Sequence, residues 1–156
     1  MVLWCYGAYM PQTYSSILLH VVFSTTERAP FIVAEIRERL HAYMAGIIND
    51  RFGYPLQIGG TEDHVHVFLN LRPTEAISDA MRVVKACSSK WVHEELKIEA
   101  FDWQDGFGVF SVSESNKHQV IEYIANQEEH HRSMDSMQEY VFLLGKHGMK
   151  HDGRNG

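Results

Sequence analysis

Apolar positions repeat at two different intervals along the chain, and these intervals predict strands and helices in a definite order. A nearly continuous apolar run at 15–24 and an alternating run at 64–71 are typical of strands. Between them, 34–49 carries apolar residues at helical spacing, with charged residues on the opposite face. The remaining predicted elements are a strand at 54–59, a helix that Thr74 opens and that runs to Trp91, a strand at 107–113, a helix at 115–130, and a helix at 137–147 begun by the capping-box spacing of Ser136 and Glu139.

The predicted order is β-α-β-β-α-β-α-α, and a short turn joins 54–59 to 64–71 as a hairpin. This order is the split βαβ, ferredoxin-like pattern, an α+β fold with an antiparallel sheet. Helices on one face leave the other face to be covered by the late helices or by a second subunit. With 156 residues, we expect a single domain over 14–150, an extension at 1–13 and a tail at 151–156.

Composition narrows the class of protein but does not indicate a nucleic-acid partner. Hydrophobic residues make up 45% and charged residues 22%, the balance of a soluble globular protein. The cysteines Cys5 and Cys87 form no disulfide framework and no secretory signal is recognisable, so we expect a reducing cytoplasm. The net charge of −6 lacks the basic balance usual in nucleic-acid binding, and ten histidines are the compositional oddity.

The first candidate for chemistry is the histidine pair in the alternating strand 64–71. Side chains alternate between the faces of a strand, so His64 and His66 project side by side while Val65 projects to the other face. Two imidazoles so placed can bind one divalent metal. The alternative is a solvent-facing or hydrogen-bonded pair, and the triplet alone does not decide between them.

The second candidate lies in the predicted helix 115–130. A spacing of four residues places Tyr123 and Gln127 on one helix face. A phenol beside an amide gains a chemical role if a metal lies between them, and otherwise the tyrosine is a half-buried part of an amphipathic helix. The following run of His130, His131 and Arg132 could be a second metal site or a phosphate contact. We favour a polar helix end, because cationic residues are favourable there without any function.

Together these two motifs resemble the single-tyrosine HUH transposases of small bacterial insertion sequences, of the insertion-sequence-200/605 type. The histidine–hydrophobic–histidine strand and the later Tyr-x-x-x-Gln helix carry the resemblance. The segments 19–25 and 107–113 are similar to the family's first strand and to the strand before its catalytic helix. The resemblance spans about residues 14–150.

The resemblance implies a role for each matched residue. His64, His66 and Gln127 would be ligands of Mg²⁺ or Mn²⁺, and Tyr123 would be the nucleophile that forms a 5′-phosphotyrosine and leaves a 3′-OH. The substrate would be single-stranded DNA with hairpins near the ends of a mobile element. The family acts as a homodimer, in which the tyrosine of one chain can serve the histidines of the other.

An apolar strand at 15–24 would be costly to leave as an exposed sheet edge, and we expect it to favour such a dimer.

The acidic chain and the loop around Arg28 depart from the family's basic pattern. The residues that bind DNA stay unknown at this point. The available phosphate contacts are Lys85, Lys90, Lys117, Arg132, Lys146 and Lys150.

Two other functions stay open on the sequence. One is a non-catalytic module that binds single-stranded nucleic acid through aromatic and lysine side chains. The other is a metal-dependent phosphohydrolase in which Tyr123 has a structural role. A domesticated relative that cuts hairpins without moving an element is a variant of the main hypothesis.

Overall fold

The computed structural model describes residues 14–151, so the 1–13 extension and all but the first residue of the 151–156 tail lie outside it. Its four strands form one antiparallel sheet in the order β2-β3-β1-β4. The strands are β1 (Leu18–Ser24), β2 (Gly53–Gly60), β3 (His64–Leu71) and β4 (Gly108–Ser111). The helices are α1 (Ala34–Arg51), α2 (Ile77–Leu96), α3 (Lys117–Ala125), α4 (Gln127–His130) and α5 (Ser136–Lys146). The α+β, ferredoxin-like prediction is confirmed.

Strand alternation divides the sheet into a purely apolar face and a face that carries the histidines. Val65, Val67 and Leu69 of β3 belong to the large core that includes the buried residues of α1 and α2. On the other face, Phe68 packs with Ile124 of α3. The late helices therefore cover the second face of the sheet, one of the two coverings that the sequence left open.

The two helix caps predicted from the sequence, Thr74 and Ser136, are both wrong, and the second error matters for the site. Thr74 does not cap α2, since its hydroxyl donates to the Glu75 carboxylate. In α5 the cap is Asp135, which forms a capping box with Gln138. Glu139 is consequently not the capping-box residue, and its side chain is free to point elsewhere.

The predicted helix 115–130 is broken in the structure. The α3 helix ends at Ala125, Asn126 leaves the helical conformation, and α4 begins at Gln127. The Asn126 side-chain amide donates to the Glu122 carbonyl. Such a bond to the preceding turn favours a break, because it competes with the helix's own hydrogen bonds.

The β1 strand is central in the sheet and not at its edge. It pairs with β3 on one side and with β4 on the other. The expectation that this strand would be an exposed edge is therefore wrong, and so is the argument for a dimer that depended on it. Among residues 14–151, none of the helices has the length and apolarity that a membrane crossing needs.

Candidate active site

The histidine pair of β3 lies beneath the late helices. Strand alternation places both imidazoles on the same face, with ring centroids 5.0 Å apart. His64 is 2% exposed and His66 is fully buried. A solvent-facing pair is thereby excluded.

Each histidine is held through its Nδ1 atom. The Nδ1 of His64 lies 2.7 Å from Asp63 Oδ1, and the Nδ1 of His66 lies 2.8 Å from Nε2 of His20 in β1. These contacts direct the Nε2 atom of both rings into the site. Outer partners of this kind commonly orient metal-binding histidines in proteins.

The two imidazoles differ in basicity because their surroundings differ. Burial lowers the pKa of His64, but the hydrogen bond with Asp63 and the nearby Glu139 carboxylate outweigh it and raise that pKa to about 9. Burial dominates at His66 and lowers its pKa to about 4. An incoming cation therefore has to displace a proton at His64 but not at His66 near neutral pH.

Tyr123 and Gln127 reach the same buried region from α3 and α4. The Tyr123 ring lies 5.9 Å from the His66 ring, centroid to centroid. Gln127 is 1% exposed. The break at Asn126 does not separate the two residues, because both contact the same carboxylate, that of Glu139. The structure thus brings all four predicted site residues together within one chain.

A glycine allows α3 to approach the sheet closely enough for this arrangement. A Cβ atom at Gly59 of β2 would lie 2.3 Å from the Ile124 carbonyl oxygen and 2.8 Å from its Cγ2 atom. Only a residue without a side chain fits there with α3 in place. Because Ile124 follows Tyr123 directly, this contact also sets the position of the phenol.

Glu139 of α5 is the residue that links the other side chains of the site. It is 4% exposed. Its Oε1 atom accepts hydrogen bonds from the Tyr123 hydroxyl and, at 3.0 Å, from Gln127 Nε2. Its Oε2 atom lies 2.7 Å from Nε2 of His131. His131 therefore belongs to the site, and the interpretation of 130–132 as a plain polar helix end is wrong for this residue.

The donor atoms suit a divalent metal. Within the described part of the chain, six buried side-chain atoms lack a hydrogen-bond partner, and three of them lie in this site: His64 Nε2, His66 Nε2 and Gln127 Oε1. Buried polar atoms without partners are rare, and a bound cation satisfies all three at once. His64, His66 and Glu139 also form a buried group that could hold a metal ion. The Glu139 Oε2 atom lies 3.4 and 3.5 Å from the two Nε2 atoms.

Glu139, His131 and His20 are the site residues that sequence analysis missed. Two capping-box patterns overlap in the sequence at the start of α5: Asp135 with Gln138, and Ser136 with Glu139. The sequence prediction used the second pattern, which gave Glu139 a structural role. The large number of histidines indicated a possible site, but the positions of His20 and His131 follow no spacing that marks them as part of it. His20 lies within the apolar run of β1, and its neighbours in space depend on the order of the strands in the sheet.

A cleft that is open to solvent leads to the site. It is narrow, with about 30 Å³ of space that water can occupy, and lies between β1, the loop before β4, and α5. Arg28 lies in its wall and donates to the Ser136 hydroxyl, which in turn donates to Asp63. The cleft is also lined by Gln104, Asp105, Phe107, Tyr140, His64 and Glu139.

Most of the basic side chains considered as phosphate contacts have partners on the protein. Lys85 donates to the backbone carbonyls of Gln104 and Gly106. Lys90, Lys117 and Arg132 form surface ion pairs with Glu94, Glu114 and Glu129. Such exposed pairs are weak and exchange easily, so they do not prevent contact with a phosphate.

A split βαβ sheet that places a buried histidine pair beside a helix-borne tyrosine is the arrangement of the transposase class that the sequence resembles. The sequence model of the family described as "Transposase IS200 like" matches residues 13–127. The chain belongs to this family. A curated relative, the ISDra2 transposase TnpA of Deinococcus radiodurans, is 24% identical over 114 residues, which cover 69% of this chain and 81% of the relative.

Two solved structures share the fold. A candidate transposase from Deinococcus radiodurans R1 superposes with a TM-score of 0.58 at 21% identity, covering 74% of this chain and 93% of that one. A REP-associated tyrosine transposase bound to a REP hairpin superposes with a TM-score of 0.58 at 15% identity, covering 77% of this chain and 72% of that one. At these identities the likeness establishes the fold alone.

Proposed function

We propose that this protein is a metal-dependent DNA transposase that cuts and rejoins single-stranded DNA at hairpin-flanked element ends, through a 5′-phosphotyrosine at Tyr123. One observation carries the proposal. Three of the buried atoms without partners, His64 Nε2, His66 Nε2 and Gln127 Oε1, belong to the three ligand residues that the resemblance implies, and they lie on the side of the sheet that Tyr123 occupies.

The residues of the chain divide the reaction between them. His64, His66 and Gln127 would hold Mg²⁺ or Mn²⁺, and a bound ion would supply polarisation of the scissile phosphate and stabilisation of negative charge on the leaving oxygen. The Tyr123 hydroxyl attacks phosphorus, and a phosphate ester to the protein replaces the broken phosphate ester of the DNA. Because ester replaces ester, the free 3′-OH can reverse the step without an external energy source.

Membership of the transposase family and the hairpin bound to one structural relative support a hairpin-containing DNA partner. We also propose a homodimer, on the resemblance alone. The contact of Tyr123 with the site of its own chain supports a complete active site in each subunit. A cytoplasmic location is proposed from the two cysteines without a disulfide framework.

The test uses single-stranded oligonucleotides that carry the hairpins flanking the gene, incubated with the protein and Mn²⁺. A denaturing gel should show an upstream fragment with a free 3′-OH and a downstream fragment that is linked to the protein through its 5′ phosphate. Chelation should abolish both products, and restored Mn²⁺ should return them. Tyr123→Phe and His66→Ala should give neither product, while a fully duplex oligonucleotide should stay intact.

The same gel separates the alternative functions. A metal-dependent phosphohydrolase is favoured to some extent by the His64, His66 and Glu139 group, which could hold an ion without Tyr123. It would cleave the DNA in Tyr123→Phe and form no protein-linked fragment. A non-catalytic binding module would retain the oligonucleotide uncut.

A further inference from the structure

Glu139 contacts the atom that the proposed reaction uses as nucleophile. The Tyr123 hydroxyl donates a hydrogen bond to Glu139 Oε1. Gln127 and His131 donate to the same carboxylate from two other directions. The carboxylate is thus held against the phenol by contacts that do not involve the phenol itself.

We propose, building on the proposed function, that Glu139 is a further catalytic residue, whose Oε1 atom accepts the phenolic proton as Tyr123 attacks and returns it on rejoining. The Tyr123 Oη–P bond forms while the P–O3′ bond breaks. The electron pair of the broken bond goes to the 3′ oxygen, which takes a proton from solvent water. In the reverse step the 3′-OH attacks, loses its proton to solvent, and the departing phenolate takes the proton held by Glu139.

A second role of the same carboxylate has to be separated from this one. Glu139 Oε2 lies 3.4 Å from His64 Nε2, so the residue could also act as a metal ligand. Loss of a ligand weakens metal binding, and saturating metal compensates for the loss. Loss of a proton acceptor slows the chemical step at any metal concentration.

The experiment compares Glu139→Gln with wild type in two measurements. Glutamine keeps the size of the side chain and a hydrogen-bond acceptor, but it cannot take the proton. Single-turnover formation of the protein–DNA adduct at saturating Mn²⁺ should slow about 10²- to 10⁴-fold, the usual range for loss of a general base. Mn²⁺ affinity without DNA, measured by electron paramagnetic resonance, should change less than about threefold. Glu95→Gln, the same substitution at an exposed residue of α2, is the matched control and should retain the wild-type rate.

Two outcomes overturn the proposal. The first is a Glu139→Gln rate within threefold of wild type, and the second is a deficit that disappears when Mn²⁺ is raised to saturation. Failure of the proposed function looks different, because wild type would then form no adduct at Tyr123. With a wild-type adduct present, only the role of Glu139 is tested.

A more acidic phenol supplies a second measurement, which is useful if Glu139→Gln unfolds. Replacing Tyr123 by 3,5-difluorotyrosine eases loss of the proton, so it should narrow the rate deficit of Glu139→Gln and also that of Glu139→Asp, which keeps the charge on a shorter side chain. A deficit of the same size with both phenols contradicts proton transfer to Glu139. Fluorine magnetic resonance of the metal-free protein should register loss of the phenol–carboxylate contact in Glu139→Gln, and an unchanged signal would contradict that contact.

Discussion

The Nε2 atom of His20 lies 2.8 Å from Nδ1 of His66 across the β1–β3 pair. Burial and the neighbouring His66 lower the pKa of His20 to about 3, so this ring is neutral. With the His20 Nε2 atom as acceptor, the proton of His66 lies on Nδ1 and the lone pair on its Nε2 faces the site, the tautomer that metal binding needs. This contact prepares the metal ligand before any ion arrives.

Removal of this contact should weaken metal binding. His20→Phe leaves the His66 tautomer unspecified, and we expect Mn²⁺ affinity to fall about 10- to 100-fold. His20→Gln offers an acceptor at a similar distance and should recover most of the affinity. Calorimetric titration of the metal-free proteins measures both, and equal affinities for His20→Phe and wild type would contradict the role.

Metal affinity should rise with pH because of His64. Its folded pKa of about 9 lies above the ordinary 6.5, so the stability gained from the protonated ring is complete below about pH 6.5 and is lost toward pH 9. An ion must displace that proton, and apparent affinity should therefore increase up to about tenfold per pH unit over this interval. Proton release on binding, measured in buffers of different ionisation enthalpy, checks the same point.

Asp63→Asn tests the cause of this pH dependence. The Asp63 carboxylate raises the pKa of His64, so its loss should move the rise in affinity to lower pH. An affinity that does not change between pH 7 and 8.5 in the wild type would contradict the assignment of the proton to His64.

The close contact at Gly59 predicts a variant that folds but reacts poorly. In Gly59→Ala the new methyl group pushes α3 away from β2 and displaces Tyr123. A displacement of about 1 Å can cost about 100-fold in rate, and we expect a loss of that order in adduct formation. Gly46→Ala is the control: nothing lies within 4 Å of its Cβ, so activity should stay and stability should rise by about 0.5–1 kcal/mol. Wild-type activity in Gly59→Ala would contradict this account of the α3 position.

Mixing two inactive variants tests whether each chain completes its own site. Tyr123→Phe and His66→Ala would be combined under conditions that permit subunit exchange. If the tyrosine and the histidines of one site come from the same chain, each site of the mixed dimer lacks either its tyrosine or a histidine. No cleavage should then return. Partial recovery of cleavage would indicate that the tyrosine reaches the histidines of a partner subunit.

Local patterns predicted the elements well, because each depends on neighbouring residues. The alternation of Val65, Val67 and Leu69 gave the bounds of β3 and the shared face of His64 and His66. Tyr123 and Gln127 still lie close together despite the break at Asn126, because about one helical turn separates them whether the helix is continuous or broken. Family resemblance supplied the roles of these residues, and periodicity alone left those roles open.

What the sequence did not predict depends on distant packing. Glu139 enters the site because α5 docks on the sheet and because Asp135 caps the helix in place of Ser136, which leaves the Glu139 side chain free. Both residue types are favourable as caps, so the sequence did not distinguish them. His20 meets His66 only because β1 lies beside β3 in the sheet. The same strand order places β1 in the centre of the sheet, and the apolar pattern of 15–24 does not distinguish a central strand from an edge strand.

The most direct measurement of the central claim is the location of the covalent bond. Wild-type protein incubated with hairpin-bearing single-stranded DNA and Mn²⁺ would be digested with nuclease and protease, and its peptides sequenced by mass spectrometry. The account predicts a nucleotide 5′-phosphate on Tyr123, with none on Tyr140, the tyrosine of α5. A remnant on Tyr140, or DNA cleavage with no modified tyrosine, would contradict it.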